Sequence, residues 1–131
     1  MLAHVTLATP DVDRFAAFVE RTLRCPRKPS PADSPVKVAW FDIGHGQEMH
    51  LLQVDGFQPS AFEGEFGRHV ALRYPAAELA ALRERLTAAG ATIVNAIRPT
   101  PFARFFFREP VNGYVFEVIE LLEGAASHFD Q

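Results

Sequence analysis

The sequence has little cysteine and no long apolar run. Its single cysteine, Cys25, cannot form an internal disulfide, rules out a cysteine-based zinc site and is compatible with a reducing cytoplasm. No apolar stretch approaches the roughly 18 residues of a membrane-spanning helix, and the N-terminal residues lack the basic and apolar segments of a signal peptide. We therefore expect a cytoplasmic protein.

Positive charge is neither abundant nor concentrated. The 13 lysine and arginine residues are dispersed along the chain and are outnumbered by 16 acidic residues, for a net charge of -3. This distribution lacks the basic patch that binds nucleic acid and is unfavourable for anionic membranes, so neither is expected as a partner. With 131 residues, 48% of them hydrophobic, the chain has the size and composition of one domain with its own core.

An internal repeat organises the chain. The segment from His4 to Leu7 (HVTL) recurs 65 residues later as His69 to Leu72 (HVAL). His50 and Glu117 each follow a glycine by four residues, and these two positions are 67 residues apart. The two offsets agree within two residues, which indicates two modules of the same architecture.

Hydrophobic periodicity predicts the element order β-α-β-β-β in both modules. Period-two and β-branched segments indicate strands, apolar residues at helical spacing indicate one helix per module, and Asn112-Gly113 is a strong short-hairpin signal. The expected elements of module one are strand 2–8, helix 11–23, a short strand 27–29 and paired strands 36–43 and 47–54; those of module two are strand 67–73, helix 76–88, strand 91–97 and paired strands 104–108 and 114–121.

The predicted fold class is α+β, with two β-α-β-β-β modules forming a cupped eight-stranded mixed sheet and two helices outside it. A module of this length is marginal as an isolated fold, so the modules are expected to pack together. The single domain, residues 1–131, then consists of module one (2–54), a linker (55–66), module two (67–121) and a tail (122–131). The linker permits pairing of the modules within one chain or exchange with a partner chain.

Four polar side chains occupy equivalent places in the repeat. Module one has His4 on its first strand and His50 on its last, 46 residues apart, whereas module two has His69 and Glu117, 48 residues apart. A pseudo-twofold axis between the modules would make these four positions converge. A carboxylate among apolar neighbours is costly to bury without a partner. Three imidazoles and one carboxylate suit one divalent transition metal ion (Zn, Ni, Fe, Co or Mn) better than Ca or Mg.

Other polar side chains receive a structural interpretation. His45 falls in a hairpin turn and His128 in the polar tail, so neither is expected to bind the metal. Arg104 and Arg108 share a strand face with Phe106, where they could clamp a substrate carboxylate, but a solvated outer face is favoured.

Two further residues have no expected catalytic role. Trp40 is expected in the core rather than along a cavity. Cys25 follows a helix C-terminus, where no helix dipole lowers the pKa of its thiol, so it is not expected to act as a nucleophile.

The doubled module and its last strands resemble the vicinal oxygen chelate superfamily. This superfamily contains glyoxalase I, bleomycin and fosfomycin resistance proteins, extradiol dioxygenases and methylmalonyl-CoA epimerase, and the resemblance covers residues 2–121. Its most specific motif, Asp-Pro-x-Gly-Asn-x-x-Glu, is present as Glu109-Pro110, Asn112-Gly113 and Glu117, with Asn and Gly exchanged and the spacing altered by one residue. Trp40-Phe41 and the RFFF segment from Arg104 are similar to a bacterial glyoxalase-like branch.

The resemblance implies a metal site, a small-molecule substrate and a homodimer. His4, His69 and Glu117 match ligand positions on the first, fifth and eighth strands, whereas His50 matches a fourth-strand position that is a carboxylate or glutamine in several relatives. The metal would act as a Lewis acid on a substrate chelated through neighbouring oxygens.

The number of ligands distinguishes the possible reactions. An octahedral ion bound by all four residues keeps two positions, enough for an enediolate but too few for a catechol and O2 together. This predicts a lyase or isomerase of the glyoxalase I or epimerase type, with Glu117 or, less favoured, Glu48 as the proton acceptor. The alternatives are an extradiol dioxygenase and a metal-free small-molecule-binding protein of the antibiotic resistance kind.

Overall fold

In the computed structural model, which describes residues 1–122, the chain divides into two units inside the expected linker. The first unit is Met1–Pro59, and the second begins at Ser60. The α+β class and the doubled β-α-β-β-β order are both confirmed. His128 lies outside the described residues. No helix in the described part of the chain is long and apolar enough to cross a membrane.

Each unit contains one helix and its own four-stranded mixed sheet. Strand order is β1-β4-β3-β2 in the first unit and β5-β8-β7-β6 in the second; the pairs β1/β4 and β5/β8 are parallel and the others are antiparallel. The elements are β1 (His4–Thr9), α1 (Val12–Thr22), β2 (Arg27–Lys28), β3 (Val38–Gly44), β4 (Gln47–Gln53), β5 (Val70–Pro75), α2 (Leu79–Ala88), β6 (Thr92–Val94), β7 (Arg104–Arg108) and β8 (Val115–Leu121).

The two helices begin in different ways. Asp11 caps α1, because its carboxylate accepts a hydrogen bond of 3.1 Å from the backbone N–H of Arg14. In the second unit a single 3-10 turn, Ala76–Glu78, separates Pro75 from α2, so the regular helix begins three residues later than expected.

Strand alternation separates a buried from a polar face in the first sheet. Phe41, Met49 and Leu51 are fully buried, as are Phe15 and Val19 of α1, which contacts β3 and β4. His4, Trp40, Glu48 and His50 share the opposite face, according to the register of the strands.

The hairpin connections of the two units differ from each other. A two-residue type I′ turn needs positive φ at both central residues, and the turn of the first unit has it, with φ of 53° at His45 and 73° at Gly46. In the second unit Gly113 has a φ of 89°, but Asn112 is not in the left-handed region. The Asn-Gly pair therefore does not form a type I′ turn, and the connection between β7 and β8 spans residues 109–114 where the expected strands left 109–113.

A buried carboxylate explains the wider loop between β7 and β8. Glu109 is only 1% exposed, and its carboxylate accepts hydrogen bonds from the backbone N–H groups of Val111, Asn112 and Tyr114 at distances between 2.6 and 3.0 Å. The loop therefore wraps around a side-chain anion instead of closing as a tight turn. Buried backbone donors need partners, and Glu109 provides them.

Glu109→Ala should lower the free energy of unfolding by about 2–3 kcal/mol, because it leaves these donors without their charged acceptor. Urea unfolding measures this change. Glu84→Ala is the matched control, because Glu84 is an exposed carboxylate on α2, and it should change stability by no more than about 0.5 kcal/mol. Equal effects of the two substitutions would contradict the proposed role of Glu109.

Candidate metal centre

The second unit brings His69 and Glu117 together. Glu117 lies on β8 opposite Ala71 of β5 and Phe106 of β7, and His69 directly precedes β5. His69 Nε2 is 3.2 Å from Oε1 of Glu117, and its Nδ1 is 2.9 Å from the carbonyl oxygen of Gly64. The edge of Phe106 also contacts the imidazole, at 5.2 Å between ring centroids.

The contact with Gly64 determines which ring nitrogen of His69 carries a hydrogen atom. A carbonyl oxygen can only accept, so Nδ1 is the donor. In the neutral ring Nε2 then keeps its lone pair and lies beside Oε1 of the Glu117 carboxyl group. A proton or metal cation between the two would remove the repulsion. Hydrogen bonding of the second nitrogen to a carbonyl is also how proteins orient histidine ligands.

The other oxygen of Glu117 is bound by Arg104. Arg104 Nη1 donates to Oε2 of Glu117 at 3.0 Å, and its Nη2 donates to Glu65 at 3.2 Å. The side chain of Arg104 is only 4% exposed, and its guanidinium lies 5.4 Å from the centroid of Phe106. The preferred sequence interpretation, a solvated outer face, is thus wrong for Arg104, because the neighbouring carboxylates compensate its charge and allow burial. Arg108, on the same strand, is exposed as expected.

Glu65 is itself held by backbone groups of the loop between β6 and β7. It accepts hydrogen bonds of 2.7 Å from Ile97 N–H and 2.9 Å from Arg98 N–H. The bond from Ile97, then the bond from Arg98 and the charge of Arg104, lower the pKa of Glu65. Glu65 therefore stays ionised beside the guanidinium.

The first unit brings His4 and His50 together in a stack of rings. The centroid of His50 is 4.1 Å from that of His4 and 3.9 Å from the nearer ring of Trp40. Trp40 is partly exposed rather than in the core as expected, because it lies on the polar face of the sheet. The stack holds the imidazole of His50 in one plane.

Glu48 determines the tautomer of His50. Its Oε1 is 2.8 Å from His50 Nε2, and its Oε2 is 2.7 Å from Nζ of Lys28. The hydrogen bonds from His50 and Lys28 lower the pKa of Glu48, so its carboxylate is ionised and Nε2 of the neutral ring is the donor. Nδ1 is then the nitrogen that His50 retains for a metal ion. The low pKa also makes Glu48 a weak proton acceptor.

The four predicted ligands thus form two pairs, one in each unit. Among residues 1–122, no three or more His, Cys, Asp or Glu side chains are grouped as a metal site. The association of both pairs with one ion stays a prediction. His45 is exposed in its turn, and Cys25 has its pKa raised to about 11 by burial and then by Asp42, which keeps the thiol protonated.

Sequence reasoning missed Gly64, Glu65 and the role of Arg104. Gly64 and Glu65 belong to the segment interpreted as a linker, and their contacts with His69 and Arg104 depend on how the chain turns back before β5. The one available signal was the position of Arg104 opposite the strand that carries Glu117.

Comparison with protein families gives a match over residues 1–118 to the Glyoxalase/Bleomycin resistance protein/Dioxygenase superfamily. The chain belongs to this superfamily. The match spans all four predicted ligands. Comparison with curated proteins gave no match.

Solved structures of other superfamily members share the fold. The fosfomycin resistance protein FosX from Listeria monocytogenes, in a variant complexed with Mn(II) and 1S,2S-dihydroxypropylphosphonic acid, has 21% identity and a TM-score of 0.72 over 92% of this chain and 91% of its own. FosX from Mesorhizobium loti has 20% identity and a TM-score of 0.67 over 91% and 90%. A protein from Bacillus anthracis, described as of the glyoxalase family, has 21% identity and a TM-score of 0.73 over 92% and 93%.

In metal-free protein at mildly alkaline pH, we expect hydrogen on Nδ1 of His69 and on Nε2 of His50. Long-range nitrogen–proton correlation spectra distinguish the two tautomers. Glu48→Met should remove the preference at His50, because it deletes the acceptor, and should leave His69 unchanged as the internal control. Hydrogen on Nε2 of His69 would contradict the assignment.

Proposed function

We propose that this superfamily member is a divalent-metal-dependent lyase or isomerase of the glyoxalase I or epimerase type. Its substrate would be a small molecule chelated through neighbouring oxygens. The observation that carries the proposal is the contact between His69 and Glu117, in which two groups with lone pairs face each other.

The His69–Glu117 geometry fits a metal ion. Two donors that each lie about 2.1 Å from one ion, at an angle between 90° and the tetrahedral value, are about 3.0–3.4 Å apart. The distance from Nε2 to Oε1 is 3.2 Å. The ring also presents the nitrogen that its carbonyl contact leaves available. Both features fit a metal ion held between the two groups, and the same distance also fits an ion pair of the protonated ring.

We propose His4, His50, His69 and Glu117 as the ligands, with His50 using Nδ1. The modules that supply the two pairs would come from one chain or from the two chains of a homodimer, as the linker permits. A nitrogen-rich donor set of this kind suits Mn, Fe, Co, Ni or Zn. The Mn(II) complex of FosX supports this choice by relationship.

The bound metal would act as a Lewis acid that stabilises negative charge on neighbouring substrate oxygens. Glu117 is our proposed proton acceptor. Its carboxylate would have to detach from the metal, and Oε1 would then take a proton from the carbon next to a carbonyl group and return it to the same or the neighbouring carbon. Glu48, the less favoured candidate, is held in its ionised form by Lys28 and His50 and so is a weaker base.

The charges near the two pairs favour a substrate with little negative charge. Lys28 is bound to Glu48, and Arg104 is bound to Glu117 and Glu65. Neither cation is available for a doubly charged group without losing a carboxylate partner. This supports a keto or hydroxyacyl compound over a phosphonate such as the ligand of FosX.

One observation favours a second candidate, the extradiol dioxygenase. The rings of His4 and His50 are stacked with only 16° between their planes, so the in-plane lone pairs of the two rings run nearly parallel instead of converging on one ion. If His50 did not bind the metal, His4, His69 and Glu117 would form the two-histidine, one-carboxylate triad of non-haem iron oxygenases. The role of His50 therefore decides between the two reactions.

Metal analysis and turnover test the main proposal. Protein purified without chelator should contain about one transition metal ion per chain. Adding Mn(II), Ni(II) or Zn(II) to metal-stripped protein should raise its melting temperature by mass action. Neither bound metal nor a thermal shift would instead indicate the metal-free binding protein. Glu117→Gln should retain some metal and lose at least about 100-fold in turnover of methylglyoxal hemithioacetal or an epimerase substrate. Glu84→Gln, at an exposed site, is the control, and unchanged turnover in Glu117→Gln would remove Glu117 from the mechanism.

His50→Ala separates the two reactions. For a four-ligand site we expect metal affinity to fall by at least about 10-fold together with isomerase turnover, since a ligand contributes at least as much as an outer partner. Retained metal together with cleavage of a catechol panel in the presence of Fe(II) would establish the dioxygenase instead. His45→Asn is the matched histidine control, because His45 is exposed and its positive φ suits asparagine.

A further inference from the structure

The two oxygens of Glu117 have different neighbours. Oε1 lies 3.2 Å from Nε2 of His69, and Oε2 accepts a hydrogen bond of 3.0 Å from Nη1 of Arg104. A carboxylate that binds a metal through both oxygens would have to give up the hydrogen bond to the guanidinium. Charge-assisted hydrogen bonds of this kind are about twice as strong as neutral ones.

Arg104 bridges two carboxylates instead of chelating one. Nη1 donates to Glu117 and Nη2 to Glu65, while Nε is buried and has no hydrogen-bond partner among residues 1–122. A guanidinium that grips one carboxylate with two parallel hydrogen bonds occupies both of its oxygens. The bridging arrangement leaves one oxygen of Glu117 outside the grip of Arg104.

The position of Arg104 does not depend on Glu117 alone. Its Nη2 also donates to the carbonyl oxygen of Arg98, and its side chain is 4% exposed beside the ring of Phe106. Glu65 in turn is fixed by the backbone N–H groups of Ile97 and Arg98. The guanidinium is therefore held in place before any ligand reaches Glu117.

We propose that Arg104 is a positioning residue that occupies Oε2 of Glu117 with a hydrogen bond and leaves Oε1 as the only oxygen available to a metal ion. Through Arg104, the negative charge of Glu65 also influences how strongly Glu117 binds a cation. The inference rests on the proposed metal-binding role of Glu117. Glu65 partly neutralises Arg104, so less positive charge acts on Glu117 and its attraction for a cation is preserved. Glu65 thus acts on the metal ligand without touching it.

A buried ion pair that only stabilises the fold would produce the same contacts. In that case, however, Glu65 and Arg104 would not be coupled in their effect on metal affinity. If Arg104 were structural, substitutions at Glu65 would change stability and leave metal affinity alone. If Glu65 acts through Arg104, its effect on metal affinity must disappear when Arg104 is removed. A double-mutant cycle on Mn(II) affinity measures this difference.

The first measurement uses metal-free protein and the nitrogen–proton correlation spectrum of His69. Arg104→Met should shift the Nε2 signal of His69, because Glu117 is released to turn. Arg104→Lys should shift it less, since an ammonium group can still bind one carboxylate but lacks the planar fork. Arg21→Met, at an exposed position of α1 in the first unit, is the control and should leave the signal in place. An unchanged His69 signal in Arg104→Met would overturn the proposal whatever the protein does with metals.

The second measurement is the Mn(II) affinity of the stripped protein by calorimetry. Glu65→Gln should lower the affinity by about 10-fold, at the low end of the loss for an outer partner of a ligand. In the Arg104→Met background the same substitution should change it by less than about 2-fold. An equal loss in both backgrounds, or no loss in either, would overturn the proposed transmission through Arg104.

The two measurements separate this inference from the proposed function. Absence of Mn(II) binding by the wild-type protein would reject the metal site, while the His69 signal would still decide whether Arg104 orients Glu117. Circular dichroism shows whether Arg104→Met folds. If it does not, Arg104→Lys replaces it in the His69 measurement and as the background for Glu65→Gln in the Mn(II) measurement. A shift of His69 in Arg104→Lys larger than in Arg21→Met then supports the inference, and an equal shift rejects it.

Discussion

A lone pair of His69 faces an oxygen of Glu117, and the polar side of the second unit is organised around this contact. Gly64 holds the imidazole by its other nitrogen, and Arg104 holds the carboxylate by its other oxygen. Neither holding group supplies a proton to the space between Nε2 and Oε1. A cation there would satisfy both atoms at once, which is why the arrangement is compatible with metal binding.

The other buried carboxylates of the second unit show how unusual this environment is. Glu63 accepts hydrogen bonds from Arg68 and from the backbone N–H of Val115, and Glu109 accepts them from the loop that surrounds it. Burial of a charge is costly unless each oxygen finds a donor. Glu117 is 7% exposed, and only its Oε2 has a donor that certainly carries hydrogen. Both oxygens of Glu63 and both oxygens of Glu109 accept hydrogen bonds, whereas among residues 1–122 Oε1 of Glu117 has only Nε2 of His69 beside it.

The repeat reproduces the backbone but not the contacts of its polar residues. His50 on β4 donates Nε2 to Glu48 two residues earlier on the same strand, whereas His69 donates Nδ1 to the carbonyl oxygen of Gly64. The two histidines consequently retain different nitrogens for a ligand. His50 and His69 occupy different places in the repeat, since His50 corresponds to Glu117 and His69 corresponds to His4, and the polar residues beside the two histidines differ as well.

The sequence by itself determined the order of elements, the two modules and the four candidate ligand positions. These features follow from local periodicity and from an offset between repeats, which do not depend on distant contacts. The tertiary structure decided which groups those residues meet. Arg104 is buried rather than solvated because Glu65, 39 residues earlier, and Glu117 compensate its charge. Such compensation depends on distances between side chains far apart in the chain, which no local pattern of residues specifies.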